Sequence, residues 1–400
     1  VTRSFWHRQH QAPDRWADVA VVGGGVVGCA TAFWLHRLRP RLRLVVLEAA
    51  SLADGASGRN AGFILPGATA DFLKDCQRYG ESRARQLWHF TRENREALLR
   101  ELDPLAFGWE GSGALLVAGS AEEEKRLREG AVRLRSEGVP AAFLPSAEIN
   151  RRLQAQGFRG GLFLPEAGCL DPVALVYHLA GRSEALVLTH HAVEALVPQP
   201  NCVRLETAYG AVEAGQVVLA LNAYLPRLLP ETAVYVQPVR AQMLATFPAA
   251  HRWITSPLYT HDGFFYVRQL PSGHVLVGGA RHLHLEEEVG YMDITTEPLQ
   301  MDLERYLQAY FPQARSLPVM CRWSGTMGFS PDGLPIIGSI AGLEGSYWVG
   351  GFSGHGMGYA FRMGRLLAEL VLGYPNPEGY TLFTPENRPT FTPEGSSAER

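Results

Sequence analysis

Ammonium groups are almost missing from this chain of 400 residues: Lys74 and Lys125 are its only lysines, and every other basic residue is arginine. Few positions can therefore supply an ammonium. Cysteine is also sparse. The five present (Cys29, Cys76, Cys169, Cys202 and Cys321) are odd in number and scattered, with no CxxC pair. That excludes a disulfide framework and fits a reducing compartment such as the cytoplasm. No window holds 18 uninterrupted apolar residues, so no membrane span is expected. The opening V-T-R-S-F-W-H-R-Q-H-Q-A-P-D-R-W lacks the apolar core of a signal peptide. A net charge of −3 gives no field to attract nucleic acid or an anionic membrane. Internal repeats are absent. What is present, 46% hydrophobic and 19% charged residues, describes an ordinary globular chain long enough for two domains.

The strongest positive signal runs from Val19 to Glu48. A buried-type strand (Val19–Val22) enters Gly23-x-Gly25-x-x-Gly28, a helix follows, and a second strand closes on Glu48. Gly23 permits the tight turn, Gly25 lets backbone approach a pyrophosphate, and Gly28 allows close packing of helix on sheet. The helix N-terminus offers free N–H groups and positive potential to the phosphates. Glu48 stands where a carboxylate accepts from ribose hydroxyls, and it would repel a 2′-phosphate. The unit predicts dinucleotide binding and redox chemistry.

Helical patterns are expected over 71–102, 121–137, 299–310 and 358–372, with a shorter helix starting at Asp171-Pro172. Strands are expected at 113–119, 162–164, 186–196, 203–206, 212–220, 319–323, 336–337 and 347–349. The stretch 234–279 is strand-rich, with Pro271-Ser272-Gly273 as a hairpin turn. Nucleotide-type signals thus stand at both ends and a sheet of different character in the middle. The expected class is α/β (α+β, two-domain). A discontinuous Rossmann-like domain (1–75, 146–233, 320–385) is joined to a mixed or antiparallel-sheet substrate domain (76–145, 234–319). A tail (386–400) follows, within a Pro-rich segment expected to run extended over the surface beyond Pro375.

Near the C-terminus, Y-W-V-G-G-F-S-G-H-G-M-G-Y-A-F-R-M-G ends a strand, brings glycine backbone close to something flat, and starts a helix. Such a helix end suits the negative N1/C2-carbonyl edge of a reduced flavin, which favours FAD over NAD. Taken in order, G-G-G-V-V-G, G-A-S-G-R-N-A-G, V-V-L-A-L-N-A-Y, W-S-G-T-M-G-F-S-P-D-G-L-P-I-I-G and G-F-S-G-H-G-M-G resemble the FAD-dependent amine oxidases of the D-amino-acid oxidase family. This group includes glycine oxidase, sarcosine oxidase and gamma-glutamylputrescine oxidase. The resemblance runs from Ser4-Phe5-Trp6 to about Gly373.

The resemblance implies a set of cofactor contacts. Gly23, Gly25, Val27 and Gly28 would hold the pyrophosphate, Glu48 the ribose, and Ser57 a phosphate. Arg59, Asn60, Ala61, Gly62 and Phe63 would line the flavin ring. Val193 would meet adenine through its backbone, Asn222 would lie under the cofactor, and Gly351, Gly354, His355, Gly356 and Met357 would cover the pyrimidine edge. The implied chemistry is oxidation of a primary or secondary amine to an imine, with O2 as acceptor and H2O2 as product. A dehydrogenase with another acceptor is the first alternative; a structural flavin module of a larger complex is the second. Tyr266 and Arg268, on one face of a strand, and His355 are the candidate catalytic residues. Cys321 is a candidate covalent link to the flavin.

Two departures from the family stand out. Met327 occupies the place of glycine oxidase's carboxylate-binding arginine, so a clamp on an α-amino acid is missing unless Arg268 or Arg240 substitutes. Val277 occupies the place of sarcosine oxidase's lysine near the flavin. His190-His191 and His282-x-His284 lack partners at ligand spacing, and no metal is expected.

Overall fold

In this computed structural model the described residues are 15–375, 377–386 and 388–391. Ser4-Phe5-Trp6, where the family resemblance begins, and most of the 386–400 tail lie outside them.

Along the chain, β1 (Arg15–Val22), α1 (Val26–Leu38) and β2 (Leu44–Leu47) form the nucleotide-type unit. Then come β3 (Phe63–Ile64), α2 (Phe72–Tyr79), α3 (Glu81–Glu101), β4 (Ala114–Ala118), α4 (Ala121–Ser136), β5 (Ala142–Pro145), α5 (Ser146–Leu153), β6 (Gly160–Leu164) and β7 (Gly168–Cys169). A return to the first layer follows, through α6 (Pro172–Arg182), β8 (Leu186–Leu188), β9 (Val193–Gln199), β10 (Cys202–Thr207), β11 (Gly210–Leu219) and α7 (Leu225–Leu228). The chain then builds β12 (Gln237–Thr246), β13 (Leu258–Thr260), β14 (Phe265–Gln269), β15 (Val275–Gly279), α8 (Glu297–Tyr310) and β16 (Val319–Phe329). It closes with β17 (Ile336–Ile340), β18 (Leu343–Gly350) and α9 (Gly356–Val371).

The first eight-stranded sheet has the order β17-β18-β11-β1-β2-β8, with β10 and β9 added beside β11. Its centre is parallel: Val22 lies between Leu219 of β11 and Leu47 of β2. Strands buried on both faces read as unbroken apolar runs, which is why this unit is visible in the sequence. α1 and α9 pack together on this layer. A Cβ on Gly364 would fall 2.6 Å from the Cβ of Ala30, so only glycine lets the two helices approach this closely.

The second eight-stranded sheet runs β16-β12-β15-β14-β13-β4-β6-β5 and is antiparallel except at β13–β4. Leu244, Val267, Val275 and Val277 on one face pack against Leu299, Leu303 and Leu307 of α8. The opposite face looks toward the nucleotide unit.

The observed elements depart from the expected ones at several places. The helix expected over 71–102 breaks at Gly80, which takes φ +80°, into α2 and α3. The strand expected over 186–196 is split where His190 turns at φ +58°. The W-S-G-T-M-G stretch belongs to β16, which pairs with β12 over Gln237–Thr246. β6 and β16, placed within the nucleotide domain by sequence, therefore pair in the second sheet, because their ladder partners lie there. α3 shifts the other way: Leu87, Phe90 and Leu98 join the core built on α1 and α9. The segment after Pro375 is not laid over the surface throughout. Phe383 is fully buried against Phe90, with ring centroids 4.9 Å apart.

Candidate active site

The glycine turn after β1 is shaped by close approaches. Gly23 sits at φ +110° with its Cβ position 2.6 Å from the Ala220 carbonyl oxygen. A Cβ on Gly28 would lie 1.9 Å from the Gly23 oxygen, and one on Gly25 would lie 2.8 Å from Ser57 Oγ. Glu48 reaches across from the end of β2: its carboxylate accepts from Gly24 N–H (2.7 Å) and Ala50 N–H (2.9 Å). The Ser57 hydroxyl accepts from Val26 N–H at the start of α1, bringing the 56–62 loop to that helix end. Val27 is buried in the first turn of α1. Gly25, the N-cap, offers no side chain, so the helix keeps donors and dipole for an anion. Val193 opens β9 two residues after His191, whose N–H donates to the Glu48 carbonyl (2.8 Å).

A second helix N-terminus lies at α9. Gly351 and Gly354 take φ +75° and +84° in the turn before it, and His355 is the N-cap without a side-chain cap bond. Asn222 ties this turn to the end of β11 by accepting from Gly351 N–H (3.1 Å). The Ser353 hydroxyl accepts from Ser330 N–H (3.1 Å), and Ser353 N–H donates to the Gly328 carbonyl (2.8 Å). The loop carrying Asn60 is braced by its own amide, which donates to the Ala56 and Ser57 carbonyls and accepts from Gly62 N–H. Two helix N-termini whose N-cap residues make no side-chain cap bond, and a carboxylate acceptor beyond one of them, form a set of donors and acceptor suited to an elongated dinucleotide.

Between this unit and the second sheet lies a cavity of about 670 Å³. Arg59, Asn60, Ala61, Phe63, Gly354, His355 and Met357 line one side. Ala241, Tyr259, Tyr266, Gly279, Gly325 and Met327 line the other. Phe63, Tyr259 and Tyr266 form an aromatic corner, with centroids 5.4 to 6.4 Å apart, and Tyr259 meets the His355 ring edge-on at 6.3 Å. Burial pushes the Tyr266 phenol up to about 12 and the Tyr259 phenol higher still, so both remain protonated at neutral pH. Burial lowers the His355 pKa, against a smaller opposing effect of its bond to Ser353. His355 Nδ1 lies 3.1 Å from the Ser353 carbonyl. A carbonyl only accepts, so Nδ1 carries the proton and Nε2 the lone pair of the neutral ring.

Several expected residues serve elsewhere. Arg268 is absent from the cavity lining: its guanidinium donates to the Ala61 carbonyl (3.0 Å) and the Leu170 carbonyl and pairs with Glu110 (3.0 Å). A buried guanidinium needs acceptors for its N–H groups, and these are on the far side of the loop wall. Arg240, the other substitute clamp, forms a two-pronged buried pair with Glu288 (2.9 and 2.6 Å). Arg59 reaches the cavity but pairs with Asp293 at 2.7 Å. Cys321 is exposed opposite Ala245, four residues and about 13 Å along β16 from Gly325. Its thiol is outside the cavity. Val277 is fully buried toward α8, away from the site.

The structure adds Tyr259, Lys74, Arg78 and Arg281 to the lining. Tyr259 had a signal: Asp262-Gly263 is a turn dipeptide, and counting outward from it places Tyr259 opposite Tyr266, as observed. The others carry no local mark. Of the histidines weighed for metal, His282 stacks on Phe264 and His284 pairs with Asp302. Among the described residues the one grouping with ligand spacing is His89, Glu93 and Glu378, where Arg362 already pairs with both carboxylates. No helix among the described residues is long and apolar enough to cross a membrane.

Known proteins resemble this chain over almost its whole length. Gamma-glutamylputrescine oxidoreductase of Escherichia coli (strain K12) is 27% identical, over 92% of this chain and 89% of that one. The crystal structure of glycine oxidase from Geobacillus kaustophilus superimposes with a TM-score of 0.80 at 22% identity, covering 92% of this chain and 98% of the other. L-Proline dehydrogenase from P. horikoshii gives 0.79 at 21%, over 92% and 96%. These two structures support the fold. The family described as FAD dependent oxidoreductase (DAO) matches residues 18–370, and with the glycine turn, the two helix ends and the cavity between them in view, the chain belongs to the DAO family of FAD-dependent oxidoreductases.

Proposed function

We propose that the protein oxidises a primary or secondary amine to an imine at the cavity between the two sheets, with O2 as acceptor and H2O2 as product. The observation carrying this reading is the cavity itself. It faces the Arg59–Phe63 loop and the start of α9 on one side and a wall of phenols, glycines and Met327 on the other. In the reading, Gly23–Gly28 with Val27 and Ser57 hold the pyrophosphate, and Glu48 and Val193 the adenosine. Asn60 to Phe63, Asn222 and Gly351–Met357 hold the ring system. The bound flavin supplies a hydride acceptor for the C–H next to the amine nitrogen.

The chain's own part is orientation and proton control. The reacting amine must be neutral. His355, on the lining, takes the ammonium proton at Nε2, the nitrogen that its bond to Ser353 leaves unprotonated. The aromatic corner of Phe63, Tyr259 and Tyr266 excludes water and presses the alkyl chain toward the loop wall. Because burial lowers the His355 pKa, its base form persists below the usual histidine range as pH falls. The acidic limb of the rate profile therefore falls below about pH 6.5, the ordinary imidazole value.

A dehydrogenase with a different acceptor is the second reading. It is favoured by one observation: the lysine on the lining, Lys74, is already ion-paired with Asp262. The test is anaerobic mixing of purified holoenzyme with a panel of amines, following flavin absorbance, then readmission of air. Bleaching followed by fast reoxidation with peroxide supports the oxidase. Bleaching with slow reoxidation supports the dehydrogenase. A flavin that no amine bleaches overturns both and leaves the structural module.

A further inference from the structure

The basic side chains on the cavity lining are not equivalent. Arg59 is neutralised by Asp293 at 2.7 Å and Lys74 by Asp262, the one carboxylate on the lining. Arg78, exposed on α2, has no carboxylate in ion-pair contact among the described residues; its guanidinium lies over the Tyr79 ring, 5.6 Å from the centroid. It also stands 3.3 Å from the Cβ position of Gly333, just beyond the end of β16. At the same end of that strand Arg281 lies over Phe329, 4.7 Å from the centroid. The floor is different: Ala241, Gly325 and Met327 bring no charge and no side-chain donor. A carboxylate buried against them would have only the neutral phenols of Tyr259 and Tyr266 on the same wall to replace its hydration.

We propose that the substrate is an amine carrying an anionic group remote from the reacting carbon, with the anion held at the cavity mouth by Arg78 and the spacer lying along Phe329 toward Met327. The proposal rests on the amine reading above. Its physical basis is a gradient: a cationic mouth opposes a simple diamine and draws in an amine whose far end is negative, while an uncharged floor rejects a short α-amino acid. Arginine suits the task because its planar fork matches a carboxylate at two points.

The experiment uses holoenzyme and two measurements. In the first, acetate, butyrate and hexanoate are titrated while the flavin spectrum is followed. The expected result is tighter binding with chain length and a roughly tenfold rise in the hexanoate Kd in Arg78→Gln, partly restored in Arg78→Lys. In the second, anaerobic flavin reduction by 6-aminohexanoate, hexylamine, 1,6-diaminohexane and glycine is compared. 6-Aminohexanoate should give the highest ratio of rate to Kd, and Arg78→Gln should reduce its advantage over hexylamine about tenfold through Kd rather than through the limiting rate. Equal or better reduction by hexylamine or the diamine overturns the proposal and leaves amine oxidation standing. Hexanoate binding that depends on Arg78, without reduction by any amine, supports the anion site and removes the amine reading. Weaker retention of FAD by Arg78→Gln on gel filtration, with an unchanged hexanoate Kd in the variant reconstituted with FAD, assigns the arginine to the cofactor and overturns the proposal.

Discussion

At the glycine turn after β1 the binding groups are backbone, and what they need is room; on the second sheet they are side chains, and what they need is freedom from other partners. Gly23, Gly25 and Gly28 each meet an oxygen within 2.8 Å of where a Cβ would sit, so residue type and role are locked together within a few positions. Arg240 and Arg268 stand on strands with the same outward promise as Tyr266, yet Glu288 and Glu110, 48 and 158 residues away, have already claimed them. Local motifs report on space. Long-range pairing decides which charges remain available.

The largest effect expected from this contrast is at the backbone site. Gly28→Val places side-chain atoms where a Cβ alone already stands 1.9 Å from an oxygen. FAD affinity should fall by more than roughly 100-fold, read from visible flavin absorbance after gel filtration; a yellow variant would mean that the turn has slack. Next is the spent pair. Arg240→Met leaves Glu288 buried without its partner and should cost about 3–5 kcal/mol in denaturant unfolding, whereas Arg240→Met with Glu288→Met should recover most of that. A single variant that unfolds like wild type would show the arginine to be less committed than its geometry.

A smaller effect concerns Asp75, fully buried beneath Trp88. Burial raises its carboxyl from 3.8 to about 6, against hydrogen bonds from Thr69, Trp88 and Ala68. A carboxyl that binds its proton more tightly when folded adds stability that is complete below its unfolded pKa and disappears as pH rises through about 6. The loss is about 3 kcal/mol, and Asp75→Asn, whose carbonyl can keep the bonds from Trp88 and Ala68, should flatten the dependence of unfolding free energy on pH. Equal slopes in the two proteins would refute this. The smallest effect is at Cys321: its substitution by Ala should leave the flavin released into the supernatant on acid precipitation, as in wild type, because the exposed thiol is outside the cavity.

The first sheet and its cofactor turn were legible because buried parallel strands and close-approach glycines leave unambiguous marks. The β14–β15 hairpin was legible for a similar reason, in its Pro271-Ser272-Gly273 turn. The extent of β16 was hidden because its glycines read as loop, and only pairing with β12 carries the strand on through Ser324–Phe329. Arg78 was hidden because Gly80 redirects the chain after α2 and carries that short helix to the cavity, an outcome of packing and not of pattern.

The contact of Gly364 with Ala30 fixes how far apart the starts of α1 and α9 can be. Two rods joined along their length keep a constant gauge between their tips, and the ligand must match it. A flavin mononucleotide, with one ring and one phosphate, would span the two tips and leave only Glu48 and Val193 without the adenosine they would hold. The distance between the flavin end and the phosphate end of the cofactor site is thus set by an interhelical glycine that touches neither.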